Sequence, residues 1–84
     1  MYKNKHTDNK NNISGKNIAR LRKNLNPKVS QRMLAEKLQI IGIDLDKNAI
    51  QRIESGKRFV TDIELLAFAT VFKVPADELL KFEN

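Results

Sequence analysis

The stretch that decides how this chain folds is Ser30-Gln31-Arg32-Met33-Leu34-Ala35-Glu36-Lys37-Leu38, followed eight residues later by Lys47-Asn48-Ala49-Ile50-Gln51-Arg52-Ile53-Glu54-Ser55-Gly56-Lys57-Arg58. Ser30 has the chemistry of an N-cap, and Met33, Leu34, Leu38 and Ile41 recur at helical spacing, so a helix is predicted from Gln31 to Ile41 with Gly42 as its stop. Asp46 caps a short second helix over residues 47 to 54, with Ala49, Ile50 and Ile53 as its inward positions and Ser55-Gly56 as its close. Ala35 is small where the two helices would cross, so their backbones can approach and Ile50 and Ile53 can seat on Leu34 and Leu38. Lys47, Asn48, Gln51 and Arg52 then fall on the opposite arc, because 47 and 51, and 48 and 52, lie four apart on a helix.

Outward from this unit, Ile18, Leu21 and Leu25 form one apolar stripe, which predicts a helix over residues 15 to 25. Asn26-Pro27 ends it, since proline disfavours helical backbone at the residue before it. Residues 1 to 12 are dominated by Asn and Lys and are expected to be a disordered basic tail in front of a domain spanning 13 to 84. On the other side, Thr61 and Glu64 have the spacing of a capping box and open a helix carrying Leu65, Leu66, Phe68, Ala69 and Phe72. Pro75 starts a last helix, where Asp77 and Glu78 meet the positive end of the dipole and Leu79, Leu80 and Phe82 form the apolar side. No strand pattern or internal repeat competes, so the expectation is an all-α domain of five short helices.

Eighty-four residues make one domain, and the absence of cysteine removes both disulfides and thiolate metal sites. His6 is the single histidine, and no Ser-His-acid set is visible, so neither a metal, a cofactor nor an enzymatic activity is expected. Asp44-Leu45-Asp46-Lys47-Asn48 opens like a calcium loop but has Ala49 where glycine is needed and Ser55 where glutamate is needed. Gly56-Lys57 lacks the upstream glycine of a phosphate loop, that position being Gln51. No apolar run approaches the roughly 18 to 20 residues that cross a bilayer, and no secretory signal pattern is present, so a cytoplasmic protein is expected. The net charge of +6 is unevenly placed: residues 1 to 32 hold nine Lys or Arg against Asp8, whereas residues 33 to 84 hold seven against nine acids. A basic half favours a polyanion, because each neutralised phosphate releases condensed counterions.

The quoted residues resemble the Cro and phage-repressor (XRE-type) helix-turn-helix family, whose pattern S-Q-x-x-L-A-x-x-L, a turn, and x-I-x-R-I-E-x-G-x-R is met by Ser30 to Leu38 and Ala49 to Arg58. The resemblance implies a lambda-repressor-like domain that binds double-stranded DNA, serves as a transcriptional repressor, and inserts the helix at 47 to 54 into the major groove as a homodimer. Arg52 and Lys47 suit guanine O6 and N7, Asn48 suits adenine N6 and N7, and Gln51 suits adenine or a phosphate. Gln31, in the first turn of its helix, is expected on a phosphate, and the resemblance places Lys57 and Arg58 along the sugar-phosphate chain. Lys16, Asn17 and Lys28 are further phosphate candidates. The family pairs residues corresponding to Arg22 and Glu54 across helices, so an internal salt bridge is expected there, the alternative being Arg22 on a phosphate. Leu79, Leu80 and Phe82 are the expected dimer surface, unless they close the core. An antitoxin-like partner of another protein, with DNA binding for autoregulation, is the second reading. The chain departs from the pattern at Gln39 to Asp46, which replaces a short Gly-apolar-Ser turn. Ile40, Ile41 and Ile43 are expected to fill space against the first helix, the alternative being exposure for a partner.

Overall fold

The computed structural model describes residues 12–81, and these form five helices: α1 (Gly15–Lys23), α2 (Gln31–Ile40), α3 (Lys47–Glu54), α4 (Asp62–Phe72) and α5 (Ala76–Leu79). No strand occurs among the described residues, so the fold is all-α. Three helices start on side-chain caps. Ser30 Oγ accepts from the Met33 N–H at 3.1 Å, and Asp46 Oδ1 accepts from the Ala49 N–H at 2.8 Å. At α4 the cap is reciprocal, Thr61 Oγ1 accepting from the Glu64 N–H at 3.2 Å and Glu64 Oε1 accepting from the Thr61 N–H at 3.0 Å.

α2, α3 and α4 also stop in one way. Beyond each, an N–H reaches back five residues to a helical carbonyl: Ile43 to Leu38 at 2.9 Å, Lys57 to Arg52 at 2.8 Å, and Val74 to Ala69 at 3.1 Å. This Schellman geometry needs a left-handed residue just before the donor, and Gly42 (φ 91°) and Gly56 (φ 82°) supply it without strain. At α4 the same position is Lys73, with φ 58°, where a Cβ makes the conformation costly by about 1 kcal/mol.

The core consists of Ile18 from α1, Leu34 and Leu38 from α2, Ile50 and Ile53 from α3, Phe68 from α4 and Leu79 from α5, all fully buried. Phe68 and Phe72 stack with ring centroids 6.3 Å apart. α3 packs on α1 and α2, while α4 packs on α1, α2 and α5, so α3 is backed on one side only. Val29 and Leu45, in the loops on either side of α2, complete the floor beneath it.

Several expectations need correction. The first helix stops at Lys23 rather than residue 25; Leu25 still packs on the core, but from a turn in which its N–H bonds to Arg22. The second helix stops at Ile40. Because the chain reverses at Gly42, Ile43 and Leu45 turn inward, whereas Ile40 (84% exposed) and Ile41 remain outside. Burial of Ile40 and Ile41 is therefore overturned. Leu66, expected in the α4 stripe, is 64% exposed, and Ile63 one turn earlier is exposed with it; Ala67 takes the inward position between Leu65 and Phe68. Asn12, assigned to the tail, is bonded into the fold as described below. The rest of the tail and Phe82 lie outside the described residues. No helix among the described residues is long and apolar enough to cross a membrane.

Candidate functional site

The amphipathicity of α3 turns its polar side chains to one exposed face. Ile50 and Ile53 are fully buried and Ala49 nearly so, while Lys47, Asn48, Gln51 and Arg52 are exposed. None of these four side chains has a hydrogen-bond or ion-pair partner among the described residues. They are two cations and two carboxamides, which together can donate to and accept from planar polar edges. Asp46 fixes the N-terminal end of the row through its cap, so Lys47 and Asn48 stand at the outermost turn.

The rear of α3 is tied by charge. Arg22 grips Glu54 with two parallel hydrogen bonds, Nε to Oε2 at 2.7 Å and Nη2 to Oε1 at 2.9 Å, and both side chains are largely buried, 12% and 8% exposed. Arg22 Nη1 also donates to the Val29 carbonyl at 3.0 Å. The hydrogen bond to Glu54 holds the guanidinium proton more firmly than usual, against the opposing effect of burial. Gln31 Nε2 donates to Glu54 Oε1 at 2.9 Å, so one carboxylate joins α1, α2 and α3. The Gln31 amide, expected on a phosphate, is thus partly committed inside the protein.

Arg58 is committed more fully. Its Nη1 and Nη2 donate to Glu64 Oε1 and Oε2 at 3.0 and 3.2 Å, and Nη1 also donates to the Phe59 carbonyl at 3.1 Å. Burial alone would push the Glu64 carboxyl up, but Arg58 and the Thr61 N–H together bring it below its ordinary value. The fork fixes the loop between α3 and α4 rather than leaving an idle guanidinium beside Lys57.

Asn17 requires a plain correction. It is 3% exposed, and its Nδ2 donates to the carbonyls of Leu79 and Lys81, both at 2.9 Å, while its Oδ1 accepts from Arg20 at 3.2 Å. Both amide hydrogens are spent holding α5 on α1, so a phosphate cannot reach them. Lys16 and Lys28 are exposed, Lys16 near the start of α1 and Lys28 in the α1–α2 loop, away from the row on α3 in sequence. Leu79 is fully buried and cannot be a dimer surface; Leu80 is exposed.

Two contributors escaped the sequence reading. Asn12 Oδ1 accepts from the Gly15 N–H at 2.6 Å, and Asn12 Nδ2 donates to the carbonyls of Ile53 at 3.2 Å and Arg58 at 2.6 Å. One amide therefore starts α1 and fastens it to the end of α3. In an Asn-rich segment nothing singles this residue out. Glu64 was legible as a capping residue, but its second partner, Arg58, was not.

Among the described residues there is no group of three or more His, Asp or Glu placed to hold a metal ion. A family model described as helix-turn-helix matches residues 18–79, from α1 through the end of α5. No curated protein and no solved structure matches the chain.

Proposed function

Because the chain belongs to the Cro/C1-type (XRE) helix-turn-helix family, whose members are DNA-binding regulators, we propose that it is a sequence-specific transcriptional repressor that lays α3 in the major groove. The observation that carries this reading is the row Lys47, Asn48, Gln51 and Arg52, exposed and unpartnered among the described residues, on a helix whose reverse side is buried and ion-paired. An α-helix fits the major groove, and its N-terminal residues reach base edges. Arg52 and Lys47 read guanine, Asn48 reads adenine, and Gln51 meets adenine or a phosphate. Lys57, Lys16 and Lys28 contact phosphates, together with the α2 N-terminus at Gln31. Arg58 contributes by shaping the loop.

Two copies bind half-sites about 34 Å apart on a pseudo-palindrome. Leu80, with Phe82 beyond the described residues, supports this pairing, as do Ile63 and Leu66 on the outer side of α4. The exposed Leu80, Ile63 and Leu66, with Ile40, favour a second reading in which another protein binds this chain and DNA binding serves autoregulation.

Selection of bound sequences from random duplexes, followed by a salt titration on the best site, tests the proposal. A repressor of this kind enriches one motif and shows a slope of log K against log salt of roughly −5 to −7 for five to eight neutralised phosphates per dimer. No enrichment with flat salt dependence sinks it. Arg52→Ala should cost about 1 to 3 kcal/mol at one base position per half-site with folding unchanged; an equal loss on every sequence moves Arg52 to the phosphate group. Copurification of a second polypeptide that releases the DNA would favour the second reading.

A further inference from the structure

The fold leaves one face of α2 uncovered. Leu34 and Leu38 are fully buried on its inner side, whereas Met33, Glu36, Lys37 and Ile40 are exposed, Met33 at 42% and Ile40 at 84%. These four recur at the three-and-four spacing that lines up one side of a helix. Beyond Ile40 the chain reverses at Gly42 and carries Ile43 and Leu45 inward, so the turn does not come back over it. Neither Glu36 nor Lys37 has an ion-pair or hydrogen-bond partner among the described residues. As neighbours in sequence they do not face each other.

A lone exposed isoleucine needs no explanation. What sets this face apart is its order, apolar, acidic, basic, apolar, with Met33 three residues before Glu36 and Ile40 three residues after Lys37. Turned end for end about an axis midway between Glu36 and Lys37, the row falls on its own complement. Met33 then meets Ile40 of a second copy, and Glu36 meets Lys37 of that copy. The apolar ends stand about 10 Å apart along the helix, so both apolar contacts and both charge pairs form within two turns. Helices paired in this way run antiparallel, which opposes their dipoles as well. A twofold contact of this kind uses the same patch on both molecules.

We propose that the exposed face of α2 pairs, antiparallel and twofold, with the same face of a second copy bound at a neighbouring site on the same duplex. Four side chains per copy bury less than the roughly 1,000 Å² of a stable interface, so the face does not hold free copies together. Copies already on one duplex meet at an effective concentration of roughly millimolar, where a weak contact counts. The pairing rests on α2 alone; its setting on DNA rests on α3 being the reading helix. It is a surface distinct from Leu80 and from Ile63 and Leu66, and it makes occupation of one site favour occupation of the next.

The test measures binding of the full chain to duplexes carrying one selected site or two, with the distance between the two varied base pair by base pair over a full helical turn. At one spacing the unchanged chain is expected to fill the pair of sites about tenfold more tightly than its single-site affinity allows. Glu36→Lys, Lys37→Glu and Ile40→Lys should each abolish that factor, whatever they do to single-site affinity, with thermal melts unchanged because all three side chains are exposed. The double exchange, Glu36→Lys with Lys37→Glu, restores opposite charges across the axis and should bring the factor back, which no effect confined to one copy would do. Absence of cooperativity at every spacing, its survival in all three single variants, or failure of the exchange to restore it overturns the pairing and leaves the reading of α3 intact. If the chain binds no duplex, the reading of α3 fails, and sedimentation at millimolar concentration decides the pairing: association lost in Ile40→Lys and in Glu36→Lys but recovered in the double exchange supports it, and any other pattern overturns it.

Discussion

The two ends of α3 are built differently. Its C-terminal end is held by Arg22 on Glu54, by Gln31 on the same carboxylate, by Asn12 on the Ile53 carbonyl, and by the Arg58–Glu64 fork just beyond. Its N-terminal end has the Asp46 cap and the seat of Leu45, then an enlarged turn where nothing surrounds the Cβ position of Gly42 and where Ile40 and Ile41 face outward. The difference shows how a short helix can be rigidly oriented and still project. Orientation is fixed from the rear, where substitutions are costly, and the leading turn with Lys47 and Asn48 is free to vary in what it meets.

The contrast predicts a graded series. Arg22→Ala leaves Glu54 buried without its cation and should cost about 3 kcal/mol, read as a large loss of midpoint in chemical denaturation. Replacing both partners, Arg22→Met with Glu54→Leu, should recover much of that loss, because the attraction of the pair is set against its own desolvation. Next, Gly15→Ala drives a methyl into the Ile53 carbonyl and should cost about 2 kcal/mol in the same measurement, as overpacking does.

The Arg58–Glu64 fork makes a pH-dependent contribution. Since the folded carboxyl titrates below its ordinary value, the unfolded chain binds that proton more readily. The stabilisation is therefore complete above about pH 4.5 and disappears as pH falls through the lowered folded value. Thermal melts from pH 7 to pH 3 should show a smaller acid loss in Glu64→Gln than in the unchanged protein; parallel curves would remove the fork from the account. At the leading end, Asp46→Ala should cost about 1 kcal/mol, the usual worth of an N-cap. Ile40→Lys should change stability by less than about 0.5 kcal/mol, because the side chain it replaces is almost wholly in water. If Ile40→Lys proved as damaging as Arg22→Ala, the asymmetry between the two ends would be broken.

Much of this was readable from residues alone, for identifiable reasons. The caps Ser30, Asp46 and Thr61 act over three residues, so their chemistry is complete within the local sequence. The buried side of α3 was legible because helical spacing links Ile50 and Ile53 without help from elsewhere. Asn17 was misread because its partners, Leu79 and Lys81, lie more than sixty residues away, and an asparagine with two distant carbonyls looks the same in sequence as one facing solvent. The Arg58–Glu64 pair was not legible because a guanidinium suits phosphate and carboxylate equally, and only the path of the loop brings Glu64 under it. Ile40 was misplaced because it lies two residues past Leu38, on the opposite side of α2 from Leu34 and Leu38, and Ile41 stays outside with it, while the left-handed turn at Gly42 brings only Ile43 and Leu45 back inward.

The Asn17 clasp has a topological consequence. By binding the carbonyls of Leu79 and Lys81 it brings the beginning and the end of the folded unit together, so the backbone nearly closes into a ring. A ring can be opened elsewhere. The projecting turn at Gly42, with open space around it, is the natural cut, and a circular permutant beginning there, with its old ends joined by a short linker, would keep every helix and every ion pair described. In such a molecule α3 would lead the chain instead of sitting in its middle, keeping the Asp46 cap and the seat of Leu45 in front and the ties of Arg22 and Gln31 at its rear.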